Sequence, residues 1–206
     1  MRNLLIAYDD VYRWLDQAAI RYDDGVHAKH RLTRYHEFFV ERVRPGERVL
    51  DIGSGKGELA HDLVVHARAT VVGIDSSPYH LEFARSHFAG AGLEFQPGDV
   101  LEELPDGHFD VVVLSNVLEH IEPRVELLRR IVASARPSRL LFRVPVLARD
   151  WTVPLRQEVG LPYYSDPDHS TEYDPEGFRA ELGEAGLRVT ELVVTWGEIW
   201  AAAEPV

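Results

Sequence analysis

The spacing of apolar residues changes repeatedly along the chain, and each change marks a predicted element. Near the amino end Leu4, Leu5, Tyr8, Val11, Tyr12 and Leu15 recur at intervals of three and four, which predicts an amphipathic helix; Leu32, Tyr35, Phe38, Phe39 and Val43 predict a second. Asp23, Asp24 and Gly25 break the pattern between them, and Pro45-Gly46 close a helical extension over residues 1–44. Beyond it, short apolar runs alternate with helical periods. Strands are expected at Val49–Ile52, Thr70–Ile74, Leu93–Gln96, Phe109–Leu114 and Arg139–Val144, and then at Leu187–Val194 and Trp196–Ala201. Helices fall between them: Glu58 to about His66, Tyr79–Ala89, a stripe of Val125, Leu128, Val132 and Ala135 with Leu127 and Ile131 alongside, and Pro175–Ala185. This alternation describes an α/β domain over residues 45–206 built on a mostly parallel sheet. Phe109–Leu114, apolar throughout, belongs at its centre, buried on both faces. Residues 146–173, with Trp151, Tyr163 and Tyr164, exceed an ordinary connection and read as an ordered excursion over the active-site face. The chain shows no internal repeat, low-complexity segment or heptad run.

Composition then removes several classes of function. Apolar residues make up 45% of the 206, as in a soluble globule, with no membrane-length apolar run and no charged leader, so the expected setting is cytoplasmic. The absence of cysteine excludes disulfides, a thiolate nucleophile and cysteine-ligated zinc. A net charge of −12 disfavours a nucleic-acid substrate unless a local basic patch offsets it.

The candidate chemistry begins at Val49–Ala60, where an apolar strand runs into Gly53, Gly55 and Gly57 and then into Glu58-Leu59-Ala60 at a helix start. A dinucleotide fold would space its glycines as GxGxxG; here the third arrives one residue early, and Asp51 stands where a pyrophosphate would lie. Charge repulsion argues against a phosphate ligand, and a Walker loop, GxxxxGK followed by Ser or Thr, is not present. A phosphate-free cofactor with a positive centre suits this acidic mouth. The run Asp51-Ile52-Gly53-Ser54-Gly55-Lys56-Gly57 resembles motif I of class I S-adenosyl-L-methionine-dependent methyltransferases.

That resemblance covers residues 45 to about 202. It implies a Rossmann-like, doubly wound seven-stranded sheet completed by an antiparallel C-terminal hairpin, with S-adenosyl-L-methionine as cofactor and S-adenosyl-L-homocysteine as product. Asp51, Gly53, Ser54, Gly55 and Gly57 then form the cofactor turn. Asp75, at the tip of the second strand some twenty residues on, is placed to accept ribose hydroxyls, with Ser76 beside it. Asp99 corresponds to the residue that binds the adenine amine, and Val100 to the one that packs on the ring. An N-terminal helical piece often covers the cofactor in such families, which brings His27, His30 and His36 into consideration.

The fourth strand ends in Ser115-Asn116-Val117-Leu118-Glu119-His120-Ile121, at the position of motif IV, and Asn116 is assigned to the cofactor side. The Asn/Asp-Pro-Pro-aromatic run common in amine methyltransferases is missing; Leu-Glu-His resembles instead the segment of quinone-type and other small-molecule O-methyltransferases. A hydroxyl acceptor must lose its proton, and an imidazole suits that task, which makes His120 the first candidate base and His169 the second. Arg143, Arg149 and Arg156 could bind an acidic substrate group or serve as surface partners for the excess carboxylates. The expected acceptor is a small molecule, with no membrane partner, no resident metal and an oligomeric state left open. Three alternatives remain: N-methylation of a small amine or amino sugar, metal-assisted methylation of an RNA 3′ end through Glu119, His120 and His169, and a non-catalytic cofactor-binding module. Asn116 counts against the metal version, since it stands where a further acidic ligand belongs.

Overall fold

The computed structural model describes residues 1–23, 27–88, 90–105 and 107–206. Three helices come first, α1 (Arg2–Tyr22), α2 (Lys29–Thr33) and α3 (Tyr35–Val40), followed by β1 (Arg48–Ile52), α4 (Glu58–Val65), β2 (Thr70–Asp75), α5 (Pro78–His87) and β3 (Leu93–Pro97). Then come β4 (Val111–Ser115), a 3-10 turn at Leu118–His120, α6 (Arg124–Ala135), β5 (Arg139–Pro145), α7 (Thr152–Glu158), α8 (Pro175–Glu184), β6 (Leu187–Thr195) and β7 (Glu198–Pro205).

The seven strands form one sheet in the order β3-β2-β1-β4-β5-β7-β6. From β3 to β5 all neighbours are parallel; β7 runs antiparallel to β5, and β6 to β7. The chain winds from β1 outward to β3, then returns to β4 on the other side of β1, so strand order reverses between β1 and β4. A crevice opens outside the carboxyl ends of strands at such a point.

Period-two alternation divides the core between the two faces of the sheet. Leu50, Ile52, Val112, Leu114, Leu140 and Phe142 point to one face, where α6 and α8 cover them with Leu127, Leu128, Ile131, Phe178 and Leu182. Val49, Val71, Val111, Val113 and Leu141 point to the other, against Leu59 and Leu63 of α4, Leu81 of α5 and Tyr35, Phe38 and Phe39 of α3. The last helix of the extension is therefore part of the core.

The extension departs from the expected pair of helices. The second is cut in two at Arg34, whose φ of +54° ends α2 and starts α3. α1 does form, but of its side chains only Leu5 is buried. Asp24, Gly25 and Ala89 lie outside the described residues. Inside the 146–173 excursion the apolar pattern gave no helix, yet α7 forms there, led in by an Asp150 turn whose carboxylate accepts from Thr152 N at 2.6 Å. A parallel bridge between Val146 and Tyr173 closes the base of the excursion.

One glycine is required twice over. Gly57 has a φ of +86°, and a Cβ there would stand 2.5 Å from the Phe95 ring, so only glycine lets the turn enter α4 at this angle.

Leu114→Ala, at a wholly buried position of β4, is expected to lower the unfolding free energy by about 2–5 kcal/mol. Val194→Ala on β6, 51% exposed, should change it by less than about 0.5 kcal/mol. Urea denaturation of the two variants beside the parent chain reads the difference.

Candidate active site

Motif I turns back at the end of β1 with positive φ at Gly53, Gly55 and Gly57. The turn is held by Asp75 at the tip of β2: one carboxylate oxygen accepts from Gly55 N at 2.8 Å, the other from Ser77 N at 2.8 Å, with His80 Nδ1 at 3.3 Å. Asp75 thus ties the glycine turn to the start of α5 and keeps spare lone pairs for a further donor. Ser76 is exposed beside it, in the wall of a hollow of about 500 Å³ that also includes Pro78, Leu81 and Pro97. At the end of β3, Asp99 is exposed and caps a turn by accepting from Leu101 N at 2.8 Å, while Val100 is buried in the core.

Above the end of β1 lies a small cavity of about 170 Å³ walled by Asp51 of β1, Gly53, Ser54 and Gly55 of the turn, Tyr35 and His36 of α3, Asn116 just beyond β4, and Arg143 of β5. Three of these residues carry buried polar atoms without a hydrogen-bond partner: Asp51 Oδ2, Ser54 Oγ and His36 Nε2. Burial, and then the nearby Asp75, push the Asp51 carboxyl from its ordinary 3.8 up to about 7. His36 is oriented by Asp62, whose carboxylate lies 2.6 Å from its Nδ1. The set of one acid, one hydroxyl and one imidazole acceptor nitrogen suits a ligand portion that carries a cationic group.

A second, larger cavity of about 810 Å³ adjoins the first, and Asn116 and Arg143 line both. Asn116 adopts a left-handed φ of +55°, which its short amide tolerates, and donates from Nδ2 to Glu119 Oε1 at 2.7 Å. Glu119 is fully buried, its second oxygen has no partner, and burial raises its pKa above the usual carboxylate range. His120 and His169 meet edge to face, ring centroids 4.8 Å apart. Each is held through Nδ1, His120 against the Asp168 carbonyl at 3.3 Å and His169 against Glu172 Oε1 at 3.0 Å. Donation from Nδ1 in both leaves Nε2 as the acceptor nitrogen. Glu172, itself buried, also accepts from Arg149 Nη1 and Ser165 Oγ, both at 2.6 Å. The ligand atoms of Glu119, His120 and His169 all lie within 4.8 Å of one another.

The three arginines are all committed to carboxylates, but two are buried, not on the surface. Arg143 chelates Glu198 and lies over the Tyr35 ring at 3.8 Å; Arg156 chelates Asp9; Arg149 holds Glu172. Across the β5–β7 pair Arg143 stands opposite Trp200, and Glu198, two residues away opposite Pro145, reaches its guanidinium diagonally. His27 pairs with Asp16 of α1 at 2.8 Å, and His30 is pushed down to about 4, first by burial and then by His36 and neighbouring cations. Neither occupies the small cavity; His36 does. Its signal in the sequence was Tyr35-His36 inside an apolar stripe, and Arg143 gave only an isolated charge in a buried strand.

A family model described as a methyltransferase domain matches residues 25–192. Ubiquinone biosynthesis O-methyltransferases are among the similar curated proteins. That of Bordetella parapertussis is 33% identical over 155 residues, 70% of this chain and 64% of the relative; that of Azorhizobium caulinodans is 32% identical over 173 residues, 78% and 67%. The chain thus spans about two thirds of the length of these relatives. Among solved structures, the magnesium protoporphyrin IX methyltransferase of Synechocystis, described with bound SAH, aligns over 100% of both chains with a TM-score of 0.68 at 18% identity, a likeness of fold. Among the described residues no helix is long and apolar enough to cross a membrane. With the sheet order, the glycine turn and the family match in agreement, this chain belongs to the class I S-adenosylmethionine-dependent methyltransferases.

Proposed function

We propose that the chain methylates a hydroxyl oxygen of a small molecule, the cofactor's methionine end seated in the 170 Å³ cavity and the acceptor in the 810 Å³ cavity beside it. The observation that supports this most is the shared wall: Asn116 and Arg143 face both spaces, and His120 and His169 face the acceptor side with Nε2 free. Asp51 and Ser54 receive the cationic amino group, with Nε2 of His36 beside them as a further acceptor. Asp75 and Ser76 take the ribose, Asp99 and Val100 the adenine, and the backbone of Gly53, Gly55 and Gly57 makes room for close approach. When bound, the cofactor supplies an electrophilic methyl on a sulfonium sulfur. His120 or His169 accepts the acceptor's hydroxyl proton at Nε2 as the oxygen lone pair forms the new bond to the methyl carbon. The proton leaves on the imidazole, and the spent cofactor would depart as the neutral thioether once its methyl is transferred. The similarity to O-methyltransferases of quinone synthesis supports oxygen as the target.

A metal-assisted version draws on one specific observation: Glu119 Oε2 is buried without a partner next to two imidazoles. A divalent ion held by Glu119, His120 and His169 would make the acceptor hydroxyl more acidic directly. Activity that is lost on chelation and restored by a divalent cation would replace the base mechanism with this one; activity indifferent to chelation retains the base.

Replacing both His120 and His169 by Ala is expected to lower turnover of a hydroxylated acceptor by roughly 10²–10⁴-fold, while calorimetric binding of S-adenosylmethionine stays at the parent affinity. An amine acceptor arriving neutral would be affected only modestly, so the same variants separate O- from N-methylation.

Asp51 gives a pH signature. Its folded-state pKa of about 7 lies above the ordinary 3.8, so the free chain loses stability as pH rises through that window. A cationic ligand beside it favours the ionised form, so cofactor affinity should increase from pH 6 to pH 8 with proton release, and Asp51→Asn should flatten the dependence. An unchanged pH profile in that variant would remove Asp51 from the cofactor site.

A further inference from the structure

α1 is mounted inside out. Its polar side faces the body: Arg2 donates to the Val159 carbonyl at 2.6 Å, Asp9 accepts from Arg156 at 2.6 Å, and Asp16 meets His27 at 2.8 Å. Its apolar side faces solvent. Leu4, Tyr8, Val11, Leu15 and Tyr22 are 71%, 54%, 55%, 63% and 79% exposed. With Ala18, these residues follow steps of four, three, four, three and four along the full helix. That is an a/d heptad seam, a correction to the expectation of no heptad run; it emerges once α1 is seen to continue to Tyr22. The family match begins at residue 25, so α1 lies wholly ahead of it.

We propose that α1 pairs antiparallel with α1 of a second copy of this chain. Three features select that occupant. First, an a/d seam is complementary to another helix with the same repeat, and antiparallel self-pairing places residues whose numbers sum to 26 in the same layer. Tyr8 then meets Ala18, Leu4 meets Tyr22, and Val11 meets Leu15, so the largest side chain of the middle of the seam faces its smallest. A parallel pair would stack Tyr22 on Tyr22 and leave Ala18 facing Ala18. Second, Tyr12 and Trp14, 60% and 68% exposed, flank the seam. With aromatics contributing about 150–250 Å² each when buried, the stripe offers an area of the order of the ~800 Å² per partner of a standard interface. Third, a helix that lies on a membrane carries a cationic polar face, whereas the polar residues of α1 include Asp9, Asp10 and Asp16 against Arg2, Arg13 and Arg21, in a chain of net charge −12. Pairing has a consequence for the site, because Tyr12 and Asp16 of α1 also line the 810 Å³ cavity, so the dimer would hold that wall in place.

The full chain should sediment at twice 23.4 kDa at micromolar concentration. Val11→Glu with Leu15→Glu should return it to the monomer mass with unchanged circular dichroism and unchanged binding of S-adenosylmethionine, since both positions face away from the body. The cysteine-free background makes cross-linking decisive. Tyr8→Cys and Ala18→Cys chains, mixed and oxidised, should form disulfide-linked dimers with each other, while Ala18→Cys alone should not. A monomeric parent chain, a dimer indifferent to the Glu substitutions, or self-linkage of Ala18→Cys would each overturn the proposal. So would a monomeric parent that co-floats with phosphatidylcholine vesicles, which would give the stripe to a lipid surface.

Discussion

A buried polar atom without a partner costs about 1–3 kcal/mol, and native interiors contain few. Among the described residues, those left over are His36 Nε2, Asp51 Oδ2, Ser54 Oγ and Glu119 Oε2. None is scattered in the core. The first three line the small cavity at the end of β1, and the fourth lines the large cavity beside it. The strand ends around the point where strand order reverses are thus left short of hydrogen bonds while the sheet beneath is packed on both faces. The stability of that sheet allows the deficit, and a ligand with matching groups removes it.

The floor and walls are organised by carboxylates that fix cations and turns. Asp75 spans from the glycine turn to α5, Glu198 holds Arg143 across the β5–β7 pair, and Glu172 gathers Arg149, Ser165 and His169 at the end of the excursion. Breaking a buried pair of this kind leaves a lone charge, which costs more than the pair contributed. This explains how a chain with so many excess carboxylates keeps a site containing several arginines: each is neutralised on its own side, and the cavity is not a free cationic patch. Arg143 shows the economy of this, for the same side chain is chelated by Glu198, stacked on Tyr35 and shared between both cavities.

What the sequence made legible was local. The strand, glycine turn and helix of motif I, and Asp75 at the next strand tip, follow from short-range spacing, and the parallel sheet follows from alternation of elements. Asp99 and Val100 are also where the strand ends required, though Val100 points into the core. His36 was legible only as one of three histidines in a covering extension; that it lines the cavity depends on α3 packing against α4, a contact across more than twenty residues, and on Asp62 turning its ring. Arg34 hid the break between α2 and α3, since a left-handed arginine has no sequence signature comparable to glycine. The outward face of α1 was illegible for a different reason. Periodicity reports that a helix has an apolar stripe and says nothing of what covers it, and here the body covers the opposite side.

The contrast between Asn116 and Glu119 carries the chemistry of the larger cavity furthest. A carboxylate at residue 116 would set two negative groups side by side, and one would have to take a proton or share a cation. The amide instead donates to Glu119 at 2.7 Å, satisfying one oxygen with a neutral partner and leaving the other aimed at the space before His120 and His169. Half of the Glu119 carboxylate is therefore settled without any ion. The remaining half keeps its lone pairs for a donor or a cation.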